Sequence, residues 1–159
     1  MGRNYWLLKS EPGSYSIDDL AAEPNQTTSW SGVRNFQARN FLRDQMSEGD
    51  MALFYHSVTD PSAVGTVRVV RAGYPDETAW NPEDRHFDPK STPEKPLWFA
   101  ADVRLVHTFA APVPLKAMRL VAALSGMELL RKGSRLSVMP VTKEAFDIIC
   151  GMGGATGRE

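Results

Sequence analysis

The stretch from Ser29 to Ser57 carries the side chains best suited to bind an aromatic anion. Trp30 precedes a Ser-Gly pair, and Gly32 can adopt a positive φ that lets a ligand approach the backbone. Arg34 and Arg39 add positive charge near the start of a predicted helix, whose free N–H groups also attract anions. An anion site beside aromatic rings suits a nucleotide. The alternative interpretation is a core helix with solvated arginines and a buried tryptophan.

Aromatic and polar side chains near this helix could hold a base by its face and by its edge. Tyr55 ends a predicted strand, and Tyr55 and Trp30 are the candidates for stacking on a base. Trp98 and Trp80 are further candidates for an aromatic wall of the site. Base edges require donors and acceptors in fixed positions. Side chains of that kind are present at Ser10, Glu11, Asn35, His56 and Ser57. Each also has a simpler interpretation, as a turn residue, a helix cap or a satisfied core group.

The energy of base recognition sets how many contacts the site needs. Reading one base in a duplex requires extruding it, which costs a few kcal/mol. One base–aromatic stack returns roughly 1–3 kcal/mol, so a second ring or several hydrogen bonds must be added. Arg34, Arg39 and Arg135 are the candidates for phosphate contacts. An extra methyl group is worth only about 1–3 kcal/mol in an apolar pocket, so selectivity for methylation alone is expected to be modest.

The composition limits the class of protein. With 159 residues, of which 42% are hydrophobic and 23% charged, the chain is expected to form one globular domain over residues 1–150. The net charge of −1 excludes a bulk basic field, so any nucleic-acid contact must use a local patch. Cys150 is the one cysteine, and His86 and His107 are isolated, so neither a disulfide nor a metal or other cofactor is expected.

The chain shows no signal of a membrane or secretory protein. No run approaches 18 apolar residues, and the first residues lack the basic-then-apolar pattern of a signal peptide. We therefore expect a cytoplasmic protein, nuclear in a eukaryote, that acts as a monomer without membrane contact.

Apolar periodicity distributes these residues over alternating strands and helices. Strands are predicted at residues 4–9, 51–55, 63–71, 98–107 and 135–138. Helices are predicted at residues 16–22, 35–46, 114–124 and 127–130, with a last one capped by Thr142. Residues 24–28 are predicted as a loop, and the glycine-rich tail 151–159 as disordered. The unequal helices favour an α+β barrel-like sheet over a doubly wound one.

Two segments stand out by their charge. Residues 72–96, called the flap below, hold five of the eleven prolines and six acidic against three basic side chains. A structureless stretch of this length is usually functional or mobile, and we predict a lid anchored by Trp80 and Phe87. Residues 113–135, called the basic segment below, hold five lysines and arginines against one glutamate. They form the most basic region of the chain.

Several short motifs follow one another in order over nearly the whole chain. They are W-L-L-K-S-E-P at 6–12, W-x-G-V-R-N-x-Q-A-R-N at 30–40, G-D at 49–50, F-Y-H-S at 54–57, Y-P-D at 74–76, D-P-K-S at 88–91, Trp98, and R-L-S-V-x-P-V at 135–141. Together they resemble the EVE domain family, which belongs to the PUA-like superfamily with the YTH readers. A match of this length is far more specific than one short motif.

The resemblance implies a PUA-like pseudo-barrel of mixed β-strands with flanking α-helices. It implies a non-catalytic reader that holds one modified base, either modified cytosine in DNA or a modified RNA base. In YTH domains a Lys-Ser pair after the first strand and a Trp after the first helix line the pocket, and Lys9-Ser10 and Trp30-Ser31 resemble those positions. The implied pocket comprises Lys9, Ser10, Glu11, Trp30, Ser31, Val33, Asn35, Tyr55, His56, Ser57 and Trp98.

An enzyme is the main alternative. Glu11, His56 and Ser57 could be imagined as a hydrolytic triad, and Lys9 with Glu11 resembles the charged pair of PUA-like amidohydrolases of the ASCH group acting on a modified nucleoside. Adjacent strand residues point to opposite faces, which argues against one site for His56 and Ser57. No nucleophile elbow or phosphate loop is present. An RNA-binding module of a tRNA or rRNA modification pathway and a plain protein-interaction module remain further alternatives.

Overall fold

The computed structural model describes residues 3–155, and one mixed sheet of six strands organises them. The strands are β1 (Tyr5–Ser10), β2 (Thr27–Trp30), β3 (Met51–His56), β4 (Ser62–Pro75), β5 (Phe99–Pro114) and β6 (Val138–Val141). Their order across the sheet is β2-β5-β4-β3-β1-β6. The pair β1–β3 is parallel, and the other neighbouring pairs are antiparallel.

Short helices flank this sheet. They are α1 (Ile17–Ala21), α2 (Phe36–Asn40), which continues as a π-helical turn (Phe41–Gln45), α3 (Leu115–Met118) and α4 (Lys143–Met152). Tight 3₁₀ turns occupy Pro24–Gln26, Glu77–Trp80, Ala122–Leu124 and Glu128–Leu130. The side chains of Ser16, Asn35 and Thr142 each accept the backbone N–H three residues on, which satisfies a free donor and starts α1, α2 and α4.

The two parallel strands form the centre of the core. Leu7 on β1 pairs with Leu53 on β3, and both are fully buried. Because these strands are covered on both faces, their sequences are continuous apolar runs without polar alternation. The indole N–H of Trp6 donates to Asp50 Oδ2 at 2.9 Å, and this buried carboxylate also accepts two backbone N–H groups. These bonds join the turn before β3 to the start of β1.

The two longest strands, β4 and β5, pair with several register shifts. Within residues 3–155, β2 and β6 each pair along one side, so the sheet does not close into a complete barrel. The mixed sheet with flanking helices confirms the predicted α+β fold class. No helix in this range is both long and apolar enough to cross a bilayer.

Several segments differ from the prediction. Residues 72–75, predicted as the start of a structureless flap, continue β4, and Tyr74 and Pro75 pair with β5. Residues 27–30 form β2, an edge strand on β5, where a loop extending to residue 28 is predicted. Residues 108–114 continue β5 because they pair with β4, which shortens the predicted helix at 114–124 to α3 and a 3₁₀ turn. The last strand begins at Val138, later than predicted. Residues 151–155, predicted as disordered, complete α4 and a turn in which Ala155 is buried; residues 156–159 lie outside the described range.

Candidate functional site

A cavity of about 570 Å³ opens where β1 ends. Three parts of the chain line it, together with Ser137 before β6. The end of β1 and the following turn contribute Lys9, Ser10, Glu11, Gly13, Ser14 and Tyr15. The end of β2 and the following loop contribute Thr28, Ser29, Trp30, Ser31, Gly32, Val33 and Arg34. The flap contributes Arg85 and His86.

The wall formed by β1 is polar. Ser10 Oγ donates to the carbonyl oxygen of Tyr15 at 2.6 Å, which holds the turn against the strand end. The Tyr15 hydroxyl donates to Glu23 at 2.8 Å, and burial, reinforced by Glu23, raises the pKa of Tyr15 to about 12. Burial lowers the pKa of Lys9, although the nearby Glu128 carboxylate opposes the shift. Glu11 is exposed and can act as an acceptor at the rim.

The wall formed by β2 combines a fixed ring with hydroxyl groups. Trp30 is 8% exposed, and its ring packs edge-on against Phe54 at a centroid distance of 5.3 Å. Trp30 therefore offers the cavity a small part of its surface, while the rest belongs to the core. Ser29 Oγ lies 2.6 Å from the hydroxyl of Tyr74, which donates to Asp102. Burial and the Asp102 carboxylate raise the pKa of Tyr74 to about 12.

The flap wall rests directly on a glycine. Gly32 has φ +83°, and a Cβ atom at this position would lie 2.8–2.9 Å from the ring atoms of His86. Gly32 is thus required both by its backbone conformation and by the imidazole packed on it. His86 is held from the other side by Asp84, whose Oδ1 accepts the backbone N–H of His86 at 2.8 Å and lies 3.3 Å from Nδ1.

Arg34 joins the flap to the loop after β2. Its guanidinium donates to Asp76 Oδ2 (3.0 Å), to Thr78 Oγ1 (3.2 Å) and twice to the carbonyl oxygen of His86 (2.8 and 3.0 Å). A fifth bond goes to the carbonyl oxygen of Val33 at 3.0 Å. The five N–H groups of an arginine are all used in this way. Arg34 therefore positions the flap, and a phosphate would have to compete with these partners.

The partner carboxylate is held ionised. Asp76 is 1% exposed, and burial alone would raise its pKa. Hydrogen bonds from Thr78, from the backbone N–H of Gly32 and from Arg34 outweigh burial, so the pKa of Asp76 lies below its ordinary value. The flap is thus docked on a buried, charge-assisted network. Of its predicted anchors, Trp80 is partly buried, whereas Phe87 is 39% exposed and does not anchor it.

The structure brings together seven of the residues predicted for the site. Lys9, Ser10, Glu11, Trp30, Ser31, Val33 and Arg34 all line the cavity. Sequence reasoning missed Tyr15, Thr28, Ser29, Arg85, His86 and Ser137. His86 is isolated in the sequence, and its place over Gly32 depends on the folded flap, so no local signal identifies it.

The predicted residues at the end of β3 and directly after it do not line this cavity. Tyr55 is 2% exposed, and burial raises the pKa of its hydroxyl. Nε2 of His56 accepts the backbone N–H of Ile17 at 3.1 Å, and burial lowers the pKa of its imidazole, with Asp18 opposing the shift. The backbone N–H of Ser57 donates to the carbonyl oxygen of Ser10. In the structure Tyr55 fills the core, His56 holds the start of α1, and Ser57 extends the pairing of β1 with β3.

The remaining predicted residues also lie outside the cavity. Asn35 Oδ1 accepts the backbone N–H of Ala38 at 2.9 Å as the helix cap. Trp98 is buried; its indole N–H donates to Asp88 at 2.7 Å, and its ring stacks on Phe36 at 4.6 Å. Arg39 donates to the carbonyl oxygen of Leu97 at 2.7 Å and lies over the ring of Phe36. Arg135 is exposed and two residues from the cavity wall at Ser137.

Among residues 3–155, no three His, Cys, Asp or Glu side chains come together in an arrangement that could hold a metal ion. The cavity offers side-chain donors and acceptors, the rings of Tyr15, Trp30 and His86, and positive charge.

Proteins with similar sequences and structures are known. Thymocyte nuclear protein 1 of Gallus gallus is 44% identical over 91% of this chain, which spans 66% of that protein's length. A hypothetical protein of Leishmania major superposes with a TM-score of 0.90 at 42% identity, covering 96% of each chain. Human THYN1, crystallised in complex with DNA containing 5-methylcytosine, superposes with a TM-score of 0.88 at 38% identity, covering 94% of this chain and 97% of that one.

A more distant likeness concerns the fold alone. The ASCH protein of Zymomonas mobilis superposes with a TM-score of 0.54 at 12% identity, which supports the PUA-like architecture and says nothing about activity. The sequence model of the EVE domain matches residues 4–152. The chain therefore belongs to the EVE domain family.

Proposed function

We propose that this protein binds nucleic acid and holds one modified base, modified cytosine in DNA or a modified base in RNA, in the cavity at the end of β1. The observation that carries the proposal is that Trp30 and the polar end of β1, Lys9 to Glu11, line the same cavity. Cavities for small ligands measure roughly 300–1,000 Å³ and combine apolar walls with a few placed polar groups. The volume of about 570 Å³ lies in this range.

The relatives support the same proposal. Human THYN1 forms a complex with DNA containing 5-methylcytosine, and this chain shares its fold at 38% identity. We infer nucleic-acid binding by this chain from that relative. The choice of a single base as the bound unit rests on the size and lining of the cavity.

A role without catalysis is part of the proposal. His56 uses Nε2 to accept the N–H of Ile17, so its position does not support a triad with Glu11 and Ser57. A second candidate is an amidohydrolase acting on a modified nucleoside. One observation favours it, namely that Lys9, whose pKa is lowered by burial, lines the same cavity as Glu11. Incubation with acylated and methylated nucleosides distinguishes the two, because product formation would favour the hydrolase.

The experiment that tests base binding compares two buried tryptophans. Trp30→Phe shortens the ring in the cavity wall, whereas Trp98→Phe makes the same change outside it. A single stack is worth roughly 1–3 kcal/mol, so partial loss of the ring is expected to weaken binding of a 5-methylcytosine oligonucleotide about 3- to 20-fold. Fluorescence anisotropy measures the affinity, and circular dichroism verifies folding. Equal affinities for both variants would contradict the proposed site.

A further inference from the structure

We propose that the basic segment, residues 113–135, carries the phosphate backbone of the strand whose base enters the cavity. This inference rests on the proposed function and adds the direction from which the strand reaches the site. The segment contains Lys116, Arg119, Glu128, Arg131, Lys132 and Arg135 as its charged residues.

Three of these positive charges are available to a ligand. Lys116, Lys132 and Arg135 are exposed, and within residues 3–155 their side chains form no hydrogen bond or ion pair. Arg131 is paired with Glu128 at 2.9 Å, and Arg119 donates to the carbonyl oxygen of Leu130. Exposed charges without an intramolecular partner are the ones that can neutralise phosphates and release counterions.

The basic segment borders the cavity on the side of β1. Ser137, which lines the cavity, follows Arg135 by two residues, and its carbonyl oxygen accepts the backbone N–H of Lys9 at 2.9 Å. Glu128 lies close enough to Lys9 to act on its charge. A strand lying across this segment could therefore place one base at the cavity mouth.

The flap on the other side of the cavity is acidic as a whole, although the two of its residues that line the cavity are Arg85 and His86. It carries six acidic against three basic side chains, and Asp84 lies beside His86. The basic segment lies on one side of the cavity, and beyond Arg85 and His86 on the other side the flap carries an excess of negative charge. Phosphates are repelled from the acidic side, so the backbone is directed onto the basic segment.

The other predicted phosphate contacts are already occupied within the protein. Arg34 uses its five N–H groups in the flap network. Arg39 donates to Leu97 and Asn40 and stacks on Phe36, and burial lowers its pKa. Of the three arginines predicted from the sequence, Arg135 alone has its guanidinium available among the described residues.

The test compares two double variants that each remove two positive charges. Lys132→Ala/Arg135→Ala removes them from the basic segment, and Lys90→Ala/Lys95→Ala removes them from exposed positions on the flap. Affinity for a single-stranded 5-methylcytosine oligonucleotide is measured by fluorescence anisotropy at several salt concentrations. Each phosphate contact contributes about 0.7 to the slope of log K against log salt for single strands. The first variant is expected to lower the slope by about 1.4, and the second to leave it unchanged.

Titration of the unmodified protein with 5-methyl-2′-deoxycytidine, followed by NMR, separates this inference from the proposed function. Shifts at the cavity residues support the proposed function irrespective of the salt slopes. If the nucleoside binds but both double variants show the same slope, the basic segment does not contact the phosphates. If the flap variant loses the slope instead, the strand enters from the other side. Absence of oligonucleotide binding to the unmodified protein would overturn both proposals.

Discussion

The guanidinium of Arg34 lies 3.0 Å from Asp76 Oδ2, and the same oxygen accepts the backbone N–H of Gly32 at 2.8 Å. One buried carboxylate thus joins the end of β4, the start of the flap and the loop after β2. Arg34 also donates two hydrogen bonds to the carbonyl oxygen of His86. The ion pair with Asp76 fixes the guanidinium, so the position of His86 in the flap wall depends on this pair.

Asp76→Asn is expected to loosen the flap. The change removes the charge that accepts from Arg34 and leaves the guanidinium partly buried without its counter-ion, which costs about 1–3 kcal/mol in the free energy of unfolding. Glu128→Gln is the matched control, because its partner Arg131 is 64% exposed and such surface pairs contribute at most about 1 kcal/mol. Urea denaturation measures both. Hydrogen exchange should accelerate in residues 81–90 of Asp76→Asn alone, and equal protection in the two variants would contradict the role of the network.

Gly32→Ala is expected to displace His86. Its cost has two parts, a left-handed backbone conformation worth about 1–2 kcal/mol and a clash with the imidazole. Gly133→Ala isolates the first part, because Gly133 has φ +81° and a Cβ there meets nothing within 4 Å. We therefore expect a larger loss of unfolding free energy for Gly32→Ala, together with a shifted His86 ring resonance in NMR. Equal losses without a shift of the His86 resonance would contradict the packing of the imidazole on Gly32.

Acidification is expected to destabilise the protein through His56. Burial lowers the pKa of this imidazole below its ordinary value near 6.5, so the neutral ring that accepts from Ile17 is favoured in the folded state. The contribution is complete above pH 6.5 and is lost as the pH falls through the folded-state pKa.

Urea denaturation between pH 7.5 and 5.5 measures this effect. His56→Gln keeps an acceptor that does not titrate, so its unfolding free energy should depend less on pH in this window. If the curves for His56→Gln and the unmodified protein remain parallel, another group is responsible.

Much of the sheet could be predicted because its central strands are buried on both faces. The apolar runs that begin at Trp6 and Met51 identify β1 and β3 by composition alone. The edge strand β2 could not be predicted, because Thr27 to Trp30 is short and, among the described strands, its backbone pairs with β5 alone. The continuation of β5 to Pro114 also depends on pairing, here with Ser62 of β4.

The site was predictable where it coincides with motifs and unpredictable where it depends on burial. Lys9, Ser10 and Trp30 follow from the family resemblance, and all three line the cavity. Tyr55 lies in a strand covered on both sides, so its sequence neighbours do not tell which face it occupies, and the structure places it in the core. His86 is 54 positions from Gly32, and its contact exists only after the flap has docked.

The placement of β1 has a consequence for how the cavity accepts a ligand. The strand that supplies Lys9 and Ser10 lies between β3 and β6, so ladder hydrogen bonds fix its backbone from two sides before any ligand arrives. The flap wall is joined to the loop after β2 mainly by the side chains of Arg34 and Asp76, which bond the carbonyl oxygen of His86 and the backbone N–H of Gly32. The conformational entropy lost on binding therefore comes mainly from the flap wall, whereas the wall formed by β1 is preorganised.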